Sequence, residues 1–335
     1  MSACVHLYVH GHGRGHASRA RRIIPALRDN GYRVRVFAGC DAMAWLAPLG
    51  EVEPIAQLPT RVSPRSLLLF ARRVRAAARA IADDETALVI SDGDVPGIWA
   101  AALTGRPRIA IGHGLLFDRF RRPRDVSVWP WRRERAKAWL SSVLATRCIA
   151  VSFCPLDRRD HSTVLARSWD AQAPAGRRDG PVLCYFRDGA DPRVLAAIAA
   201  RARVELFTAS DPQVAGVRWH PIDRESFARV LVDARCVVGS AGSQLIGECL
   251  ALGIPLFAIH EQHDDEQRIN VELLRGAGAG AGCSSATLDL AALAAFVDAP
   301  PTVRPSRWSA PDVVGATLAA ARELIAARRS LPCAS

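Results

Sequence analysis

CVHLYVHGHGRGHASRARRIIPALRDNGYRVRVFAG, residues 4–39, decides the fold. CVHLYV (4–9) is a short apolar run of strand length, and Ala20, Ile23, Ile24 and Leu27 then recur at the spacing of one helix face. Gly31 stops that helix, and YRVRVFAG (32–39) reads as a second strand. The segment is a βαβ unit, and the same alternation continues. ALVIS (87–91), RIAIG (108–112) and CIAVS (148–152) are further short β-rich runs separated by alanine-rich helical stretches, the pattern of a doubly wound parallel sheet.

AQAPAGRRDG (171–180) carries proline, glycine and charge but no apolar period, so it reads as a linker. A second series follows it: PVLCYF, a helix from about Asp191, VELFT, a helix near Glu225 to Ala234, CVVGS, a helix from about Gln244, and IPLFAI. Two Rossmann-like α/β domains are expected, at 1–170 and 181–310, as 335 residues already imply at roughly 150 residues per domain. In the tail, Val314, Thr317, Leu318, Ala321, Leu324 and Ile325 lie on one helical face within residues 311–335.

Composition narrows the class. With 50% apolar and 23% charged residues, disordered, collagenous and fibrous chains are excluded. No run approaches the ~18 apolar residues of a bilayer span. MSACVHLYV lacks a basic leader region, and the nine scattered cysteines form neither a C-x-x-C site nor a disulfide framework. A cytoplasmic location is expected. Charge is uneven: residues 1–180 hold 29 basic against 16 acidic residues, and residues 181–335 hold 15 against 17. The basic half would steer an anionic partner, although a chain with a single lysine, Lys137, among so many arginines also carries a compositional bias.

The loop GHGRGHASR (11–19) lies between a strand and a helix, and its glycines Gly11, Gly13 and Gly15 fall at every second position rather than in the dinucleotide spacing G-x-G-x-x-G. His16, where loop meets helix, is placed to act as a general base at the carboxyl edge of the sheet, or to cap the loop. Asp92 and Asp94, in SDGD after ALVIS, reach the same edge. They suit an orienting carboxylate, a Mg²⁺ pair or a plain turn. His113, in GHGLLF, is a further edge histidine.

The second half holds CVVGSAGSQLIGECLALGIPLFAIHEQHDDEQRIN (236–270). Ser240-Ala241-Gly242-Ser243 presents small residues at a helix N-terminus, a seat for a diphosphate. Glu248, about two turns on, can accept from a ribose diol. Glu261, Asp264, Asp265, Glu266 and Gln267 crowd the loop after the next strand, where carboxylate and amide groups suit vicinal sugar hydroxyls or form a solvated acidic loop.

These residues resemble the GT-B glycosyltransferases, in the branch of the plant natural-product glucosyltransferases and the bacterial peptidoglycan GlcNAc-transferase. That branch's donor box runs H-C-G-W-N-S-x-x-E, then G-V-P, then D/E-Q-x-x-N; here Ser240-Ala241-Gly242 through Glu248, Gly253-Ile254-Pro255, and Glu266-Gln267 with Asn270 stand in that order. Ser240 replaces the box's histidine, and the loop before Glu266 is about two residues longer. The resemblance implies that Ser240, Gly242, Ser243 and Gln244 hold a diphosphate, Glu248 the ribose, and Glu266 with Gln267 the donor sugar. It implies His16 as catalytic base with Asp92 as partner, and Arg187 beside the departing charge. Gly13, Arg14, Gly15 and His113 fall on the acceptor side, and the final helix crosses back onto the first domain. The implied reaction is inverting transfer from a nucleotide sugar, UDP-linked above other bases, with no metal and no cofactor.

RFRRPRDVSVWPWRRERAKAW (119–139) combines eight basic residues and two acidic ones with Phe120, Trp129, Trp131 and Trp139. Together with the arginines and leucines of residues 61–79 it suits an anionic membrane interface, and hence a lipid-linked acceptor. Solvated amphipathic helices give the same pattern. The rivals are a nucleotide-sugar hydrolase of the same fold, an epimerase whose carboxylate set is not found, and a basic membrane- or nucleic-acid-binding protein. A nucleic-acid partner is not expected, since no recognised motif accompanies the charge.

Overall fold

The computed structural model describes residues 2–11, 14–59, 63–169, 179–187, 189–306 and 308–329. The first sheet holds β1 (Cys4–Val9), β2 (Arg33–Ala38), β3 (Val52–Pro54), β4 (Leu88–Asp92), β5 (Arg108–Gly112), β6 (Arg147–Val151) and β7 (Thr163–Ala166). The second holds β8 (Val182–Tyr185), β9 (Val204–Phe207), β10 (Val217–His220), β11 (Cys236–Ser240), β12 (Leu256–His260) and β13 (Gly280–Ser284). Every pairing is parallel. Strand order is β3-β2-β1-β4-β5-β6-β7 in one sheet and β10-β9-β8-β11-β12-β13 in the other. Both reverse direction beside their first strand, and in such sheets ligands bind at the carboxyl edge of that switch point. The expected pair of Rossmann-like sheets facing a cleft is what the chain forms.

Central strands are apolar throughout because helices cover both faces; all six residues of β1 are buried. The Arg14–Asp29 helix buries Ala17, Ala20, Ile23, Ile24 and Leu27 against the sheet. From the other end of the sequence, Val313, Ala320, Ala321, Leu324 and Ile325 of the Val313–Arg329 helix enter this same core. The chain leaves the first domain beside Arg167 and returns beside Asp312: Arg167 N–H donates to Pro311 O (3.0 Å), Val313 N–H donates to Arg167 O (2.8 Å), and Arg22 Nη2 pairs with Asp312 (2.8 Å). Of the expected linker 171–180, residues 171–178 lie outside the described residues.

The two domains share a core. Phe117, Trp131, Phe153 and Trp169 of the first pack in one cluster with Leu245, Ile246, Cys249 and Leu274 of the second. Gly247 is needed there, because a Cβ would stand 2.3 Å from the Trp169 ring. Polar contacts also span the junction. Glu272 accepts from Ser127 N–H (2.7 Å), and Arg133 forks onto Asp265 (2.5 and 2.7 Å). The eight described cysteines are all unpaired, and among the described residues no helix is long and apolar enough to cross a membrane.

Candidate active site

Between the sheets lies a cleft of about 760 Å³, within the range of small-molecule sites. Its first-domain wall includes Arg14, Gly15, His16, Arg19, Gly93, His113, Glu134 and Lys137. Facing them are Tyr185, Arg187, Arg224, Ser240, Gly242, Ser243, Gln244, Glu248, Asp264, Glu266 and Gln267. The structure thus gathers most of the described sequence-predicted residues around one space; Asp92 lies buried behind His16, and Asp94, Glu261 and Asp265 do not line it. Gly13 lies outside the described residues.

His16 occupies the first turn of the Arg14–Asp29 helix, and Asp92 ends β4 beside β1. His16 Nδ1 donates to Asp92 Oδ1 over 2.6 Å. Asp92 is fully buried, whereas a quarter of the His16 side chain is exposed. Burial pushes the Asp92 carboxyl up, but the Arg19 guanidinium and His16 outweigh it and hold the carboxyl below the usual carboxylate range. Arg19, which no sequence pattern singles out, donates Nε to Asp92 Oδ2 (2.9 Å) and Nη2 to Oδ1 (2.6 Å).

Asp94 does different work. It caps the Val95–Leu103 helix by accepting from Gly97 N–H (3.0 Å), and it pairs with Arg73 (2.8 Å). Each carboxylate of the Asp92-Gly93-Asp94 stretch is therefore matched to its own arginine. This arrangement favours the orienting and turn readings over a Mg²⁺ pair.

His113 borders the cleft but is buried, with Nδ1 2.8 Å from Val151 O and Nε2 2.8 Å from Asn270 Oδ1. Asn270 Nδ2 donates in turn to Ala241 O (2.9 Å). Nε2 thus joins the domains through the asparagine of the E-Q-x-x-N stretch, while Nδ1 holds the ring to β6 of its own domain.

The Ser243–Leu252 helix begins at Gly242 with no side-chain cap. Its first N–H groups have no side-chain cap, and the helix dipole favours an anion there. Gln244 is engaged on both sides: its Nε2 donates to Glu248 Oε1 (2.7 Å), and its Oε1 accepts from Ser168 Oγ. It braces Glu248 and ties the helix to the first domain. Asp264 caps the Asp265–Gly276 helix through Gln267 N–H (2.9 Å), and Gln267 Nε2 returns a bond to Asp264 Oδ2 (2.9 Å). Glu266 stands beside them on the cleft wall.

Two contributors lie on helices whose cleft-facing side appears only when the domains meet. Arg224 reaches across to Ser18 Oγ over 2.7 Å. Glu134, paired with Lys137 (2.6 Å), has its carboxyl pushed up by burial, only partly offset by Lys137.

Residues 172–301 match the family model described as glycosyl transferase family 1. The fold is similar to that of MurG from Acinetobacter baumannii, with TM-score 0.67 and 15% identity over 96% of this chain and 99% of that one. It is similar to LpCGTa, solved in complex with UDP, at TM-score 0.64 and 15% identity over 100% and 96%. CalG4, the calicheamicin glycosyltransferase, gives 0.61 and 18% over 97% and 94%. No curated protein matches by sequence. With two parallel α/β domains around the cleft, the chain has the fold of the GT-B glycosyltransferases, and its second domain matches glycosyl transferase family 1.

Proposed function

We propose that the chain transfers a sugar with inversion from a nucleoside diphosphate sugar, UDP-linked above other bases, to an acceptor hydroxyl, without a metal. The observation that carries this reading is the opening of the His16–Asp92 pair onto the same cleft as the uncapped N-terminus of the Ser243–Leu252 helix. His16 Nδ1 is committed to Asp92, which leaves Nε2 as the basic atom. Nε2 takes the acceptor proton while the acceptor oxygen attacks the anomeric carbon. The bond from that carbon to the diphosphate breaks on the opposite face, and its electron pair leaves with the phosphate. Asp92 balances the imidazolium. Helix N–H groups at Ser243 and Gln244, with Arg187 on the cleft wall, meet the departing charge. Glu248, braced by Gln244, takes the ribose hydroxyls, and Glu266 with Gln267 the donor sugar.

The test is thermal stability against UDP, TDP, GDP, ADP and their sugars, since a ligand at 100 times its dissociation constant adds about 2.7 kcal/mol. A rise with one diphosphate, followed by transfer in EDTA and an anomeric coupling constant opposite to the donor's, supports the reading. No rise with any of them removes it, and sugar release as fast without acceptor as with it turns the reading toward a hydrolase.

For the acceptor, a surface observation favours a lipid-linked or anionic molecule at the inner face of a membrane. Trp129 and Trp139 are 68% and 50% exposed, Leu67 and Leu68 60% and 53%, and Arg132 lies over the Trp129 ring at 5.2 Å. Aromatic and aliphatic side chains among cations suit an anionic interface. Failure to co-sediment with anionic phospholipid vesicles at low salt overturns this part alone.

A further inference from the structure

We infer that Arg19 is a positioning residue that sets both the tautomer and the resting charge of His16. The inference rests on the reading of His16 as the base. It concerns a side chain on the Nδ1 side of the imidazole, away from Nε2.

Arg19 sits one helical turn after His16, so the two side chains share a helix face. It is 3% exposed. A buried guanidinium needs its charge matched, and Asp92 matches it through two bonds, Nε to Oδ2 (2.9 Å) and Nη2 to Oδ1 (2.6 Å). Asp92 Oδ1 is also the acceptor for His16 Nδ1 at 2.6 Å. One carboxylate oxygen therefore serves two donors, and Arg19 Nη2 lies only 3.0 Å from His16 Nδ1.

Two consequences follow from that triangle. The first concerns the tautomer. Were Nδ1 the unprotonated nitrogen, its lone pair would face an anionic oxygen at 2.6 Å, so the proton resides on Nδ1 and the lone pair on Nε2. The two-bond fork from Arg19 prevents Asp92 from rotating away, which a single-point lysine ammonium would not do.

The second concerns charge. A catalytic base must be neutral before it reacts. A lone buried aspartate against Nδ1 would favour the imidazolium, whereas a permanent cation at 3.0 Å offsets that pull. The other charged and titratable groups near the ring stand outside this triangle. His10 meets it edge-on with centroids 5.2 Å apart. Arg14 precedes it on its own helix, while Arg187, Asp223, Arg224, Glu134 and Lys137 line the rest of the shared cleft.

The test uses full-length protein with ¹⁵N-labelled histidine, read by NMR through the two ring nitrogens of His16, alongside kcat and KM as functions of pH. In Arg19→Gln the His16 titration is expected to rise by about one pH unit or more, and the acid limb of kcat to move with it while donor KM stays within about twofold. Arg19→Lys, which keeps the charge and loses the fork, is expected to hold the titration near wild type but to show mixed Nδ1–H and Nε2–H signals with lower kcat. It also keeps the test open should Arg19→Gln fail to fold. An unchanged titration in Arg19→Gln and unmixed tautomers in Arg19→Lys overturn the inference, whatever happens to activity. A shifted titration with an unshifted pH–rate profile supports Arg19 as the device that sets the ring and removes His16 as the base.

Discussion

Gly93 lies directly against the His16 ring: a Cβ at Gly93 would stand 2.6 Å from His16 Cε1 and 3.0 Å from Nδ1. The backbone there has φ of +75°, in the left-handed region that glycine alone enters without strain. Both facts follow from the need to bring the ring to the end of β4 while Asp92 points back at it. Gly93→Ala must displace the imidazole or the turn. The expected result is a fall in kcat of about 100-fold, the scale of a displacement of about 1 Å in a reacting group, with a stability loss of about 1–2 kcal/mol. UDP affinity measured by calorimetry stays at its wild-type value. Unchanged turnover would mean that the ring position does not matter to the reaction.

The dyad separates chemistry from folding. His16 is partly exposed and its removal strands little, so His16→Ala is expected to lower turnover by about 10²–10⁴-fold with little change in melting temperature. Asp92→Asn does more, because Arg19 would be left buried beside a neutral amide. Its expected cost is of the order of 3–5 kcal/mol of stability, the scale for breaking a buried ion pair, in addition to lost turnover. Parallel melting curves and single-turnover assays distinguish the two variants. Equal stability of both would show that Arg19 does not depend on Asp92.

Much of this arrangement was legible in the sequence because buried parallel strands write themselves as apolar runs, and residues just past their ends must lie at one sheet edge. That logic reaches β1, β4, β5, β8, β11 and β12, and through them His16, Asp92 and Ser240. It misses β3 and β10, short edge strands without a fully buried residue, and β7, a four-residue edge strand. It misses β13 for a different reason. Its GAGCS sequence has low strand propensity, yet a Cβ at Gly280 would stand 2.0 Å from Leu256 O, so glycine is required for the close approach to β12. Arg19 was hidden among many arginines, and its signal was only its distance of one turn from His16. Glu134 and Arg224 carry no local pattern, because the cleft exists only once the domains meet.

Glu248 offers the cleanest test of the donor half. Gln244 Nε2 holds its Oε1 at 2.7 Å, so the carboxylate is already oriented before a ligand arrives. Hydrogen bonds to a charged group contribute roughly 1.5–3 kcal/mol. Glu248→Ala is therefore expected to weaken UDP binding by about 10- to 100-fold. Gln244→Ala is expected to weaken it less, by loosening the brace, while His16→Ala leaves it unchanged. Equal nucleotide affinity in Glu248→Ala and wild type would remove Glu248 from the proposed nucleotide site.

Acid sensitivity should come from the far end of β1. His6 is fully buried, with Nε2 2.6 Å from Asp84 Oδ2 and its ring 5.0 Å from that of Phe37. Burial pulls the His6 value down, and Asp84 only partly restores it. Burial also pushes the Asp84 carboxyl up, but Arg35 and His6 outweigh this and bring it below its ordinary value. In both cases the unfolded chain binds protons more readily than the folded one, so stability falls as pH falls. The His6 contribution is complete above about pH 6.5, the unfolded histidine value, and is lost below it toward the lower folded value. The Asp84 contribution persists until the pH passes below about 4, the unfolded aspartate value. Urea midpoints at pH 7.5, 5.5 and 3 should thus decline in two stages in the wild-type protein. His6→Gln, which cannot titrate, is expected to start less stable at pH 7.5 and to decline more shallowly between pH 7.5 and 5.5. An equally steep decline in that variant would assign the first stage to another group.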